Sequence, residues 1–322
     1  VAVTSTALAS EHTPVPVPLI VDTDTASDDC FALLLALLDP RADLRAITMV
    51  QGNVGFDQQV HNAFLTLEVA GRLGEVPVYL GAREALGGGW VGAEDVHGDG
   101  VGGQRRTNDA TPEREHAVDA LVRLAAASPG EVTVVAIGPL TNLALAIERD
   151  PSFVSNVREA IVMGGSLDGV GNITPAAEYN IYADPEAAAA VVGAGFARLR
   201  FVTWSPVTLR DAVFDADRVA RIEATGTQRA AFFVRANQAP FDFDTAHGAA
   251  GSTHPDTLSV LAAIDPAVVV EEVPFVMTVV LEGERRGATD VVPANPGDAN
   301  CTAVTLADGE LLFETMLGIL SR

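Results

Sequence analysis

The stretch VPLIVDTDTASDDCFALLLALLD, residues 17–39, decides the fold class. A short β-rich apolar run, VPLIVDT, passes directly into the helical pattern DDCFALLLALLD, and Asp22, Asp24, Asp28 and Asp29 crowd the eight positions at the junction. The same alternation recurs down the chain: LRAITMVQG then FDQQVHNAFLTLEVAGRLG, VPVYLG then AVDALVRLAAAS, VTVVAIG then LTNLALAIERD, VREAIVMGG then DPEAAAAVVGAG, and LRFVTW. It predicts an open, mostly parallel α/β sheet flanked by helices. Ligands of such sheets bind beyond the carboxyl ends of the strands, so DTDTASDD, QGN, IGPLTN and MGGS should converge on one crevice.

Three glycine-bearing stretches without apolar period read as loops over that crevice: residues 84–109, 166–180 and 239–256. The last third carries further strand-like runs, AVVVEEVPFVMTVVLEG and CTAVTL, and a helix-like ELLFETMLGIL, which should extend the same core. The expected organisation is a tail over residues 1–16 and a single catalytic domain over 17–322.

The formal net charge is −23, from 43 acidic and 20 basic residues, and every basic residue is Arg. Such a field disfavours nucleic acid and anionic membrane as partners. No apolar stretch approaches the ~20 residues of a bilayer span, and the opening VAVTSTALASEH lacks a basic n-region, which predicts a cytoplasmic protein. Cys30 lies inside an apolar helical run, so Cys30 and Cys301 are expected to be free thiols.

Alternation along a strand turns Asp22 and Asp24 to one side. Asp28 and Asp29 fall in the first turn of the next helix, where the macrodipole favours carboxylates and Ser27 is available as N-cap. Four carboxylates together still repel unless protons or a cation neutralise them, and an all-oxygen donor set suits a hard ion. An EF-hand loop starting at Asp22 fails, with Ser27 where Gly is required and Leu33 where Glu is. A haloacid-dehalogenase-like phosphatase fails at Ala26 and finds no lysine for phosphate.

Six further segments accompany the aspartate block: QGNV at 51–54, VPVYLGA at 76–82, VHGDG at 96–100, AIGPLTN at 136–142, VMGG at 162–165 and GNITPAAEYNIYADPEAA at 171–188. In this order, after a D-x-D-x-x-x-D-D opening, they resemble the inosine-uridine nucleoside hydrolase family, whose core is Rossmann-like. The resemblance covers roughly residues 17–322. It implies hydrolysis of the N-glycosidic bond of ribonucleosides to base and ribose, one Ca²⁺ as cofactor, and a homodimer or homotetramer.

By resemblance, Asp24, Asp29, the carbonyl of Ile137 and Asp256 ligate the ion, and Asp24 is the general base toward water, with Asp22 supporting the loop. Asp28 and Asn53 on one side of the ribose, and Asn172, Glu178 and Asn180 on the other, take its hydroxyls, with Met163 beneath the sugar. His97 matches a family histidine near the base. Many members place a histidine directly before the last metal aspartate; here STHPDTLSV puts Pro255 there and displaces His254 by one. His254 is therefore one candidate to protonate the leaving base, and stacking, with Trp90, Trp204, Phe241 and Phe243 as candidates, is another route. The departure also leaves open a weak or silent nucleoside- or ribose-binding protein, or a hydrolase of a modified riboside. A further departure, Thr25-Ala26 where many members have Pro-Gly, requires ordinary backbone angles at Ala26.

Overall fold

In a computed structural model, residues 15–322 are described, so most of the expected tail lies outside the described residues. The chain begins β1 (Val17–Thr23), α1 (Ser27–Leu38), β2 (Ala42–Met49), α2 (Phe56–Ala70) and β3 (Val78–Leu80). It continues through α3 (Glu94–His97), α4 (Ala117–Ala127), β4 (Thr133–Ala136), α5 (Thr141–Arg149), α6 (Ser152–Asn156) and β5 (Glu159–Met163). Next come α7 (Tyr179–Ala183), α8 (Pro185–Gly193), β6 (Leu199–Val202), α9 (Val207–Asp211), β7 (Val213–Asp215) and α10 (Ala216–Glu223). The last elements are α11 (Gln228–Ala246), β8 (Gly251–Thr253), α12 (Pro255–Ile264), β9 (Val269–Val279), β10 (Thr289–Pro293), β11 (Cys301–Ala307) and α13 (Gly309–Leu320).

Nine strands form one sheet in the order β10-β9-β11-β6-β5-β4-β1-β2-β3, and β7 pairs antiparallel with β8 in a separate two-stranded sheet. From β3 across to β11 all pairings are parallel; β9 runs antiparallel to both its neighbours. The order reverses between β1 and β4, which makes the gap beyond their carboxyl ends the switch point where such sheets bind ligands.

Alternation within β1 shows how the faces are filled. Leu19 and Val21 pack with α1, α12 and α13, whereas Ile20 packs with α4 and α5. A strand covered on both faces needs the continuous apolar run read from the sequence. Helix α1 is unusual in having no wet face: Cys30 to Leu35 are fully buried. An all-apolar helix requires cover on every side, and α2, α11, α12 and α13 supply it. No helix among the described residues is long and apolar enough to cross a membrane. Both cysteines are buried and free.

Three local expectations change. The stretch 239–256 is not a loop throughout, because α11 continues through Pro240 to Ala246. Its stop is Gly248, at φ 92°, with His247 N–H bonding the Phe243 and Asp244 carbonyls; glycine admits this left-handed geometry at least cost. Residues 94–97 within the first expected loop form the single turn α3. Ser27 is not the N-cap of α1: Ala26 occupies that place, and its N–H is taken by the Asp29 carboxylate at 2.9 Å. Ala26 has φ −123°, within the ordinary range.

Candidate active site

At the switch point, the carboxylates are held by backbone and neutral donors rather than by cations. Asp22, inside β1, accepts from Thr48 Oγ1 at 2.5 Å and Asn142 Nδ2 at 2.8 Å, while its Oδ2 is buried without a partner. Asp24, just beyond the strand, accepts the Asn53 N–H at 2.8 Å on Oδ2, and its Oδ1 is likewise buried and unpartnered. Two glycines make room for it: a Cβ on Gly52 would lie 1.9 Å from Asp24 Oδ2, and one on Gly138 would lie 2.8 Å from Oδ1. Asp29 accepts from Thr23 Oγ1 at 2.6 Å, Ala26 N–H at 2.9 Å and Asn53 Nδ2 at 3.1 Å.

Oxygens of Asp28, Asp29 and Asp256 lie within 4.8 Å of one another. Asp256 arrives from the far end of the chain in the first turn of α12, where Pro255 at the first helical positions starts the helix. Burial, then mutual repulsion, pushes the Asp28 carboxyl up to about 8 and those of Asp24 and Asp256 well above the usual range. Burial likewise lifts Asp22 to about 7. These groups fit a hard divalent cation: the donors are oxygens, two of the buried ones lack any partner, and no Arg enters the cluster to neutralise it. The tight triad includes Asp28, which the sequence reading assigned to the sugar alone; Asp24 adjoins it through contact with Asp29.

Above this floor opens a cavity of about 680 Å³. It collects residues from distant segments: Asp28 and Asn53, Ile137 and Met163 from the ends of β4 and β5, and Asn172, Glu178 and Asn180 from the 166–180 stretch. Glu178 caps α7, accepting the N–H groups of Gly165, Asn180 and Ile181 at 2.9, 2.8 and 3.1 Å. Desolvation nonetheless lifts its carboxyl to about 7. Asn180 Nδ2 donates to the carbonyls of Ile137 and Met163 at 3.3 and 3.2 Å, and Asn172 Oδ1 accepts the Tyr179 N–H at 2.8 Å. The first bond ties the Ile137 carbonyl to Asn180.

The histidines separate. His97 lines the cavity with Nδ1 3.3 Å from Ser27 Oγ and 3.9 Å from Asp28 Oδ1. Burial lowers it to about 4, so it is neutral near pH 7. His254 is not in the cavity. Its position ahead of α12 turns the ring into an aromatic nest, with ring centres 4.2 Å from Phe214 and 5.7 Å from both Phe31 and Phe233. Burial there drives it to about 3. The register of α12, begun by Pro255, therefore removes His254 as a donor to a ligand. Of the aromatic candidates, Trp204 and Phe243 line the cavity, whereas Trp90 and Phe241 do not.

The outer half of the cavity went unread in the sequence. Val170, Ile173, Leu209 and Pro240 make it apolar, and Tyr179, Asp244 and His247 add polar groups. Asp244 and His247 were hidden in a segment taken for loop; the signal for them was Gly248, which marks the helix end three to four residues from Asp244.

The chain matches the family described as inosine-uridine preferring nucleoside hydrolase over residues 19–314. It is 44% identical over 180 residues to uridine nucleosidase 1 of Arabidopsis thaliana, covering 55% of this chain and 53% of that protein. Its match spans about half to two thirds of the length of the first curated relatives, 53% to 66%. Among solved structures it superposes on a plant nucleoside hydrolase with TM-score 0.87 and 30% identity, covering 95% of this chain and 99% of that one. It superposes equally on a purine-preferring ribonucleoside hydrolase from Gardnerella vaginalis, with TM-score 0.87 and 28% identity over 94% of this chain and 98% of that one.

Proposed function

Since the chain belongs to the inosine-uridine preferring nucleoside hydrolase family, we propose that it hydrolyses the N-glycosidic bond of ribonucleosides. The observation that carries this reading is the Asp28–Asp29–Asp256 oxygen cluster, with Asp24 and its orphaned Oδ1 buried beside Asp29, at a cavity that Asp28 and Asp256 line together with apolar side chains. A polar floor suits a sugar and an apolar outer half suits a base.

Asp24, Asp29, Asp256 and the Ile137 carbonyl would hold a calcium ion. When bound, calcium supplies positive charge that neutralises the carboxylates and acidifies water in the site. The chain's own groups do the rest. Asp24 keeps one oxygen fixed by the Asn53 N–H and offers the other to take a proton from water attacking C1′. Asp28, Asn53, Asn172, Glu178 and Asn180 grip the ribose hydroxyls, and their carboxylates stabilise the positive charge that develops on the ring in an oxocarbenium-like transition state. Met163 lies beneath the sugar. His97, bonded to Ser27 Oγ and 3.9 Å from Asp28, has its proton affinity lowered by burial and is a poor proton donor to the base.

Incubating purified protein and calcium with inosine, adenosine, uridine and cytidine, then assaying free ribose, tests the reading. Ribose from at least one is expected. Saturable heat in calorimetry without any ribose, from calcium-loaded protein, overturns hydrolysis in favour of a silent nucleoside binder. By resemblance the protein is a homodimer or homotetramer, which sedimentation would measure.

A further inference from the structure

Cleaving an N-glycoside expels the base with the bonding electron pair on nitrogen, and that nitrogen needs a proton in or near the transition state. Of the histidines in the described residues, His97 and His247 line the cavity. His97 sits at the carboxylate floor with its proton affinity lowered by burial, and His254 is enclosed among phenylalanines. His247 lines the cavity instead from the exposed turn after α11, where Pro240, Phe243, Ala249 and Ala250 also line it.

Resting on the hydrolase reading, we propose that His247 is the catalytic residue that protonates the departing base. Its placement suits the task. Nδ1 lies 2.8 Å from the Phe243 carbonyl, a bond that fixes the ring and leaves Nε2 as the free nitrogen. The ring stacks on Phe243 at 4.2 Å between centres. It stands just past the C-terminus of α11, the negative end of that helix's dipole. The Asp244 carboxylate, fixed by the Thr253 N–H at 2.9 Å and Oγ1 at 3.0 Å, adds negative charge close by. Asp95 and His97 from α3, Asp28 from α1, Glu178 ahead of α7 and Asp256 from α12 face the same cavity. His247 is exposed enough to regain its proton from solvent.

The step balances. The C1′–N bond breaks with its electrons going to the base, which takes the Nε2 proton of His247. Water oxygen bonds C1′, and its proton passes to Asp24. Solvent then returns each group to its starting state, and the sum is riboside plus water to base plus ribose.

The test compares leaving groups. Nitrophenolate departs as a stable anion and needs no proton, whereas a purine or pyrimidine does. His247→Gln is expected to lower kcat on inosine and uridine about 100-fold, with a loss several-fold at most on p-nitrophenyl ribofuranoside and with calcium binding retained. His247→Phe, which keeps an aromatic ring over Phe243, should show the same selective loss. Equal losses on both substrates, or no loss on nucleosides, overturn the assignment to His247 while leaving the hydrolase reading intact. Wild-type protein that releases ribose from neither substrate overturns the hydrolase reading and the role of His247 with it.

Discussion

The two ends of the cavity are built differently. The floor hangs from strand ends: Asp24 follows β1, Ile137 follows β4, Met163 ends β5, and two glycines clasp the Asp24 carboxylate. The outer end is assembled from α9, α11, the turn at 247–250, and the 166–180 stretch, with Val170, Ile173 and Leu209 partly open to water. The floor is polar, dry and fixed by backbone hydrogen bonds; the outer end is apolar, wetter and carried on connections. In the proposed reaction function divides the same way: the floor would carry the chemistry common to any riboside, and the outer segments, carried on connections, would discriminate among bases.

The sharpest way to break this contrast is at the floor. Asp29→Ala removes the carboxylate that Thr23, Ala26 and Asn53 all donate to. It should abolish stoichiometric calcium binding, measured by calorimetry, and with it nucleoside turnover by 10³-fold or more, on the order of losing both proton transfer and charge stabilisation. Retained calcium in that variant would contradict the assignment.

Gly52→Ala tests whether the clasp matters. The added Cβ must displace Asp24, and a displacement of about 1 Å in a reacting group costs on the order of 100-fold. The expected fall is in kcat, with the fold preserved by circular dichroism. A near-wild-type kcat would mean the clasp is dispensable.

Metal removal has a pH signature. Folded carboxyls raised to about 7 at Asp22 and about 8 at Asp28 lie above their unfolded values, so the metal-free folded protein holds more protons than the unfolded chain between about pH 4 and 8. Stability of the chelated protein therefore falls as pH rises across that window. Calcium favours the ionised forms and opposes the fall. At a hundredfold excess over Kd it contributes about 2.7 kcal/mol, roughly 5 °C in Tm for a chain of this size. Scanning calorimetry with calcium and with chelator should show a gap that widens from pH 5 to pH 8; a gap independent of pH would break the argument.

The smallest effect is expected at the outer end. Phe243→Ala removes one stacking ring, about 0.5–1.5 kcal/mol beyond its area, so KM for nucleosides should rise several-fold with calcium affinity unchanged. A calcium defect in this variant would show that the two ends are not separable.

The legibility of the site follows the same division. Asp24, Asp28, Asp29, Asn53 and Ile137 stand in short motifs directly after strands, and a strand end fixes where its next few residues go, so local order in the chain was enough to bring them together. Asn172, Glu178 and Asn180 came from a longer motif and line the cavity. Asp244 and His247 were missed because residues 239–256, glycine-bearing and without apolar period, read as loop, yet α11 runs on through Pro240 to Ala246. His254, one residue out of the family's register, stayed a candidate because a different loop path could still have swung it into the site. The helix start at Pro255 sends its ring the other way.

By itself, then, the sequence determined the parallel α/β architecture, the acidic floor and the family, because each rests on local periodicity or on residues a few positions apart. Only the tertiary structure decided which side chains roof the cavity, where the three nearby histidines face, and that Asp28 joins the tightest oxygen cluster. The same holds for α1: its apolar run called for cover on every side, and helices more than 190 residues later provide much of it. Such contacts depend on the packing angles of whole elements, a quantity with no local imprint in the chain.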